Sequence, residues 1–286
     1  MTTKKTRRRE TVKPEYRELF DLFGRVGIVT GGAGIIGREL VRGLLTQRAN
    51  VVVADIDGTA AETFAASLRD EFHNNCVVAV ATDVTNAKSV KAMVARTVRQ
   101  WGKIDFLLNN AALFGTDPKD YYAPFEEYSL EEWRRIMAVD LDGVFLVARE
   151  VGKQMVAQAT GGSIVQTSSI YGVMASDPRI YQGSTFKGYP INNPAVYSAA
   201  KAGVVGLTRW LATYWADKNI RVNAIAPGGT MAHENDVFMR KYSNRIPMGR
   251  MGNASEMVGA VIYLVSDASS YVTGQCLMID GGLSAW

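Results

Sequence analysis

From residue 25 onward, short apolar runs rich in β-branched residues alternate with stretches of helical period. Strand-like runs occupy residues 26–30, 50–54, 77–81, 104–108, 163–167, 221–226 and 277–279. Polar or small residues follow them: Asp55, Asp83, Asn109 with Asn110, Ser168 with Ser169, Pro227 with Gly228, and Asp280. Continuous apolar runs of this length predict strands buried on both faces, as in a parallel sheet. Between them, Val90, Met93, Val94, Val98 and Trp101 recur every three or four residues and make one apolar helical face. Ser129 and Glu132 have capping-box spacing ahead of Trp133, Ile136 and Val139, and Asn253 with Glu256 repeats it. Asn193 and Pro194 suit an N-cap and a first helical position. Strand–helix alternation throughout predicts a single doubly wound α/β domain, a parallel sheet flanked by helices. Residues 171–193, rich in Gly, Pro and Ser, interrupt the alternation and read as a long loop of the kind that often covers a site.

With 286 residues the chain can bury a large core without disulfide or metal staples. Its 47% hydrophobic and 21% charged residues are ordinary globular usage, which excludes a disordered chain, a collagen-like chain and a coiled coil. No apolar run approaches the length of a membrane-spanning helix. Cys76 and Cys276 lie far apart, which argues against a disulfide scaffold, and with only His73 and His233 beside them no metal site is expected. The formal charge of +4 is misleading, because Lys4, Lys5, Arg7, Arg8 and Arg9 crowd the start of the chain and the remaining 27 basic residues face 28 acidic ones. Residues 1–20 are therefore expected to be a basic, unstructured, solvated extension, and residues 21–286 the domain. A nucleic-acid or anionic-membrane role for that extension is the weaker reading. No apolar segment resembles a secretory signal, which with the sparse cysteines suggests a cytoplasmic setting.

The first strand runs into Thr30-Gly31-Gly32-Ala33-Gly34-Ile35-Ile36-Gly37, where Gly32, Gly34 and Gly37 fit G-x-G-x-x-G. Such glycines permit a tight turn, a close backbone approach to pyrophosphate, and helix–strand packing. The helix that follows would direct its N-terminal amides at the anion. Asp55 stands 18 residues after Gly37, at the end of the next strand. A carboxylate there can accept both ribose hydroxyls of an adenosine and would repel a 2′-phosphate, so NAD is favoured over NADP. Asp57 is a nearby competitor for that role, and Arg38 a candidate phosphate partner.

Tyr197-Ser198-Ala199-Ala200-Lys201 opens a predicted helix, and a spacing of four sets Tyr197 and Lys201 on one face. An ammonium beside a phenol favours the phenolate, which turns a poor base into a usable one. With these motifs in order, the sequence closely resembles the short-chain dehydrogenase/reductase family over residues 22–286. The resemblance rests on Thr30–Gly37, Asp83-Val84, residues 109–112, residues 162–172, Tyr197-x-x-x-Lys201, residues 221–228, residues 271–275 and Asp280-Gly281-Gly282. It implies a Rossmann-type fold with Tyr197 as general acid/base and Lys201 as its partner, which also binds the nicotinamide ribose. Ser169 would hold the substrate oxygen, with Ser168 as the neighbouring alternative. It further implies a cofactor site made by Gly31, Gly34, Ile36, Gly37 and Asp55, with Asp83 and Val84 at the adenine. Asn110, Ala111 and Ala112 would line the adenosine ribose, and Pro227, Gly228 and Thr230 the nicotinamide.

The sequence departs from the family's pattern in three places. Ile35 replaces the middle glycine of the usual T-G-x-x-x-G-x-G loop, with Gly34 beside it to compensate. Asp140 takes the place of the family's fourth catalytic residue, an asparagine. Ser169 and Tyr197 are 28 residues apart, longer than usual, and the excess is the 171–193 insertion. That insertion carries Asp177, Arg179, Tyr181, Gln182, Phe186, Lys187 and Tyr189, and is expected to overlie a polar, anionic or sugar-like substrate. The resulting expectation is an NAD-dependent oxidoreductase on a secondary alcohol or its ketone, with a polyol, sugar or sugar-derived substrate. The family resemblance also implies a homotetramer or homodimer packed through helices around residues 130–158 and 195–216. The alternatives are an NADPH-dependent 3-oxoacyl-thioester reductase and a non-catalytic nucleotide-binding scaffold.

Overall fold

The computed structural model describes residues 16–72, 76–115, 117–230 and 235–286. The five basic residues of the extension, His73 and His233 lie outside the described residues. Seven parallel strands form one sheet: β1 (Val26–Thr30), β2 (Asn50–Asp55), β3 (Val77–Ala81), β4 (Phe106–Asn109), β5 (Gly162–Thr167), β8 (Ile220–Pro227) and β9 (Cys276–Ile279). A two-strand antiparallel hairpin, β6 (Thr185–Phe186) with β7 (Tyr189–Pro190), stands apart from it. The order in the sheet is β3-β2-β1-β4-β5-β8-β9. It reverses direction between β1 and β4, which opens a crevice at the carboxyl ends of those strands, the usual ligand position in an open α/β sheet.

The central strands are buried on both faces because helices cover both, whereas the edge strands β3 and β9 are only partly buried. The helices are α1 (Ile35–Thr46), α2 (Gly58–Phe72), α3 (Ala87–Trp101), α4 (Pro118–Tyr121), α5 (Leu130–Met137), α6 (Val144–Gln158), α7 (Ala195–Tyr214), α8 (Asp236–Ser243) and α9 (Val258–Val265). On one face Val29, Val51, Val53, Phe106 and Leu108 pack with Leu40 and Leu44 of α1, Phe64 and Leu68 of α2, and Val261 and Leu264 of α9. On the other, Ile28, Val52 and Leu107 pack with Val90 and Met93 of α3, Val147 and Val151 of α6, and Leu211 of α7. The alternation of Ile28 with Val29 and of Val52 with Val51 and Val53 is the two-residue period of a pleated strand. Burying each such side chain contributes about 1.5–3 kcal/mol relative to leaving it exposed.

The local signals meet different fates. Asn253 and Glu256 form a full capping box. At α5 only half of one forms: the Ser129 hydroxyl accepts from the Glu132 amide, but the Glu132 carboxylate turns forward to Arg135. Pro194, not Asn193, is the N-cap of α7, and the Asn193 side chain donates to the Ser198 hydroxyl instead. Tyr16–Phe20, at the end of the segment expected to be unstructured, is a 3-10 turn, tied down by buried Leu22 and an Asp21–Arg48 ion pair. Residues 171–193 are likewise not an open loop. They contain the turn Pro178–Ile180 and the β6–β7 hairpin, and they are fastened to α8. No described helix is long and apolar enough to cross a membrane.

Candidate active site

A cleft of about 780 Å³ lies over the crevice. Its floor is the turn between β1 and α1. Gly31 adopts the left-handed backbone, φ +61°, where a side chain would be strained. A Cβ on Gly37 would fall 2.0 Å from the Gly31 carbonyl oxygen, so only glycine lets the first turn of α1 sit this low. The first amides of that helix have no intrahelical acceptor and point out of its N-terminus. Backbone this close, with free amides and no Cβ in the way, fits a pyrophosphate. Gly31, Gly34, Ile36 and Gly37 all line the cleft. Gly32 does not: it faces Val53 and the Val29 carbonyl beneath the loop.

Asp55, at the end of β2, lines the same cleft and also ties the loop to it, with Oδ2 accepting from the Ala33 amide at 3.0 Å and Oδ1 from the Asp57 amide at 3.2 Å. Its competitor Asp57 and the candidate phosphate partner Arg38 have partners elsewhere. Asp57 accepts from the Ala60 amide at the start of α2, and Arg38 donates to the Ala33 carbonyl while stacking over Phe64. Asp83 and Val84 follow β3 at the far end, where the Asp83 carboxylate accepts from the amide and hydroxyl of Thr85. Asn110, Ala111 and Ala112 follow β4, and the Thr30 hydroxyl accepts from the amides of Asn110 and Ala111. Pro227, Gly228 and Thr230 close the opposite rim from β8.

Ser169, Tyr197 and Lys201 reach the cleft from β5 and α7. The two serines part company here. The Ser168 hydroxyl is buried and donates to the Lys201 carbonyl at 2.8 Å, so it fastens β5 to α7. The Ser169 hydroxyl oxygen accepts from the Tyr171 amide at 3.2 Å, which leaves its proton available to the cleft. Lys201 Nζ lies 5.6 Å from the centre of the Tyr197 ring and donates to the Thr167 carbonyl at 3.3 Å. Asp140 does not line the cleft. It sits behind Lys201 on a π-helical turn, Ala138–Gly143, between α5 and α6. Its Oδ2 is 3.6 Å from Lys201 Nζ, and its Oδ1 accepts from the Leu113 amide at 2.7 Å.

The other half of the cleft is aromatic, and the sequence motifs do not announce it. Phe114, Tyr121 and Tyr122 come from the segment after β4; Tyr171 and Tyr181 from the insertion; Phe238 and Tyr242 from α8. Burial pushes the phenols of Tyr121, Tyr171, Tyr181 and Tyr242 well above the ordinary tyrosine range, so they are neutral hydroxyls at working pH. Of the insertion's side chains expected over the substrate, only Tyr181 lines the cleft. Asp177 instead binds both Arg179 and Arg245, Lys187 lies over the ring of Phe186, and the Gln182 carbonyl accepts from Lys241.

The family model that matches residues 31–284 is described as enoyl-(acyl carrier protein) reductase. A 2,5-dichloro-2,5-cyclohexadiene-1,4-diol dehydrogenase of Sphingobium indicum is 38% identical over 273 residues, covering 93% of this chain and 99% of its own. A short-chain dehydrogenase of Leptospira borgpetersenii, solved with bound NAD+, superposes with a TM-score of 0.80 at 34% identity over 92% of this chain and 94% of its own. A gluconate 5-dehydrogenase of Burkholderia cenocepacia, solved with NADP and tartrate, gives a TM-score of 0.82 at 32% identity over 94% of this chain and 98% of its own.

Proposed function

This chain belongs to the short-chain dehydrogenase/reductase family and is an oxidoreductase of CH–OH groups that uses a nicotinamide cofactor; we propose that it interconverts a secondary alcohol and its ketone with NAD(H), on a polyol-like substrate, cyclic diols included. The observation that carries this reading is the meeting of Tyr197 and Lys201, one turn apart on α7, with Ser169 in the cleft that the glycine turn also lines. Relatives and neighbours named for a cyclic diol, for gluconate and for xylitol support the substrate class.

Gly31, Gly34, Ile36 and Gly37 would hold the pyrophosphate, Asp55 the adenosine ribose, and Asp83 with Val84 the adenine. Asn110, Ala111 and Ala112 would run along the ribose, and Pro227, Gly228 and Thr230 would border the nicotinamide. A nicotinamide held there would supply the hydride exchange with the substrate carbon. The protein orients the alcohol and moves its proton. Ser169 donates its hydroxyl to the substrate oxygen, because its own oxygen is already engaged by the Tyr171 amide. Tyr197 takes the proton from that oxygen during oxidation and returns it during reduction. Lys201, held by the Thr167 carbonyl and by Asp140, presents a fixed positive charge beneath the phenol. The NAD preference is supported by Asp55, whose carboxylate stands where a 2′-phosphate would bring a second negative charge. Among the solved neighbours some hold NAD+ and others NADP, so the NAD preference rests on Asp55.

Assembly through the helices around residues 130–158 and 195–216 belongs to the same proposal. Trp210 and Tyr214 stack at 4.7 Å while remaining 58% and 61% exposed, a face suited to a second copy. Sedimentation at the 31.2 kDa mass of a single chain would exclude it. Tyr197→Phe tests the chemistry itself. It should lower turnover by about two orders of magnitude or more and leave NADH binding, followed by fluorescence, intact. Near-normal turnover in that variant discards the mechanism.

A further inference from the structure

The two halves of the cleft differ in charge. Among the described residues lining it, charge is confined to Asp55 and Asp83 at the adenosine end and to Lys201. Lys201 is 2% exposed and already faces the Thr167 carbonyl and Asp140. Three described cations near the substrate end are also engaged. Arg179 and Arg245 bind Asp177, and Lys241 donates to the carbonyls of Arg179 and Gln182.

What remains is aromatic surface in two groups, with Asn193 and Asn192 beside it, the buried Asn192 Oδ1 being one acceptor still open to a second hydroxyl. Phe114, Tyr121 and Tyr122 form one, with ring centres 4.8–6.1 Å apart. Tyr181, Phe238 and Tyr242 form the other, Tyr181 stacked on Phe238 at 5.5 Å and Phe238 against Tyr242 at 5.3 Å. The hydroxyls of the second group are largely occupied. Tyr181 donates to Tyr171 at 3.1 Å, and Tyr242 accepts from the Gly229 amide at 2.7 Å.

We propose that the substrate is an uncharged ring, a carbocyclic secondary alcohol or diol, whose apolar edge rests on these two aromatic groups while its reacting hydroxyl reaches Ser169 and Tyr197. This rests on the oxidoreductase reading above and narrows it. A sugar acid would bury a carboxylate with no unengaged cation to meet it among the described residues, and such a charge is costly when unpaired. A linear polyol carries a hydroxyl on each carbon, and those that find no partner lose their water without replacement. It also loses more internal freedom on binding than a ring does. A ring edge gains instead: each methylene withdrawn from water strengthens binding about four-fold.

The test uses the full chain with NAD and NADP, and compares cis-cyclohexane-1,2-diol, xylitol and gluconate. The expected result is a kcat/KM for the cyclic diol about ten-fold or more above both others, the scale on which a hydrophobic pocket discriminates. Xylitol or gluconate as the best substrate overturns the ring and leaves the oxidoreductase reading standing. A protein that binds NADH yet oxidises none of the three, and reduces neither cyclohexanone nor 2-hydroxycyclohexanone, overturns the oxidoreductase reading and the ring with it. Phe114→Arg supplies a second readout, at a wall position that is 57% exposed. Its new cation should raise the ratio of gluconate to cyclic-diol kcat/KM by about ten-fold. An unchanged ratio removes Phe114 from the substrate's surroundings and overturns the proposal.

Discussion

Asp140→Ala and Asp140→Asn should separate what this carboxylate does for the fold from what it does for the proton. Asp140 is 0% exposed and Lys201 2%, so neither charge has water to fall back on. One oxygen accepts from the Leu113 amide at 2.7 Å; the other has no hydrogen-bond partner and faces the ammonium at 3.6 Å. The Ala variant strips both contacts and leaves a buried cation facing little but the Thr167 carbonyl. Breaking one side of a buried pair costs about 3–5 kcal/mol, and at about 2 °C per kcal/mol the melting temperature should fall by about 6–10 °C. The Asn variant also removes the counter-charge but keeps an oxygen for Leu113, so it should lose about 1–2 kcal/mol less than the Ala variant. Its effect on the proton has a definite sign. In the parent protein the carboxylate partly cancels the field of the ammonium at the Tyr197 phenol. At about 7 Å with an effective dielectric of about 20, removing one charge is worth about 2 kcal/mol, and solvent screening reduces that to about one pH unit. The acid limb of kcat/KM for alcohol oxidation should therefore move to lower pH by about one unit in Asp140→Asn. Thermal melts and pH–rate profiles of the three proteins measure both effects. An acid limb that stays in place or moves upward, with an Ala variant within about 1 kcal/mol of the parent, refutes the charged-pair argument.

Asp55→Asn keeps one acceptor for the loop amides but removes the charge next to the ribose. At about 5 Å and a dielectric of about 20 a single repulsion is about 3 kcal/mol, so after screening the NAD-over-NADP ratio of kcat/KM should fall by about 30-fold or more; a parent protein that already uses NADP equally well sinks the assignment. Hydrogen bonds from Arg179 hold the Asp177 carboxyl down at about 2, so the clamp between the insertion and Arg245 should be complete above the ordinary carboxylate range and be lost as pH falls toward that value. Pepsin cleavage within residues 171–193 should rise as the pH is lowered from about 4 to about 2, and Asp177→Asn should speed trypsin cleavage after Arg179 at neutral pH by loosening the backbone around it; equal cleavage of variant and parent would show that the clamp holds nothing.

The seven main strands, the glycine turn and the Tyr197–Lys201 pair were legible in the sequence because each is written in local spacing. A run buried on both faces must be continuously apolar, and a side chain four residues along a helix must share a face, whatever lies beyond. Strand limits came within a residue or two, as at β4, expected over 104–108 and found at Phe106–Asn109. Cap positions were less secure, since Asn193 found a partner in Ser198 and left Pro194 to open α7. Three other features depended on contacts between distant segments. Ser168 and Ser169 are equivalent in sequence, and only the approach of α7 captures the first and leaves the second facing the cleft. The charges of the insertion look suited to a substrate until Lys241 of α8 and Arg245 just after it come against that segment. The aromatic half of the cleft is drawn from residues 114–122, 171–181 and 238–242, which no periodicity connects. Local patterns fix which residues bury and which turn, because those depend on a few neighbouring dihedrals; which polar groups remain unspent for a ligand is settled only when the whole chain has packed.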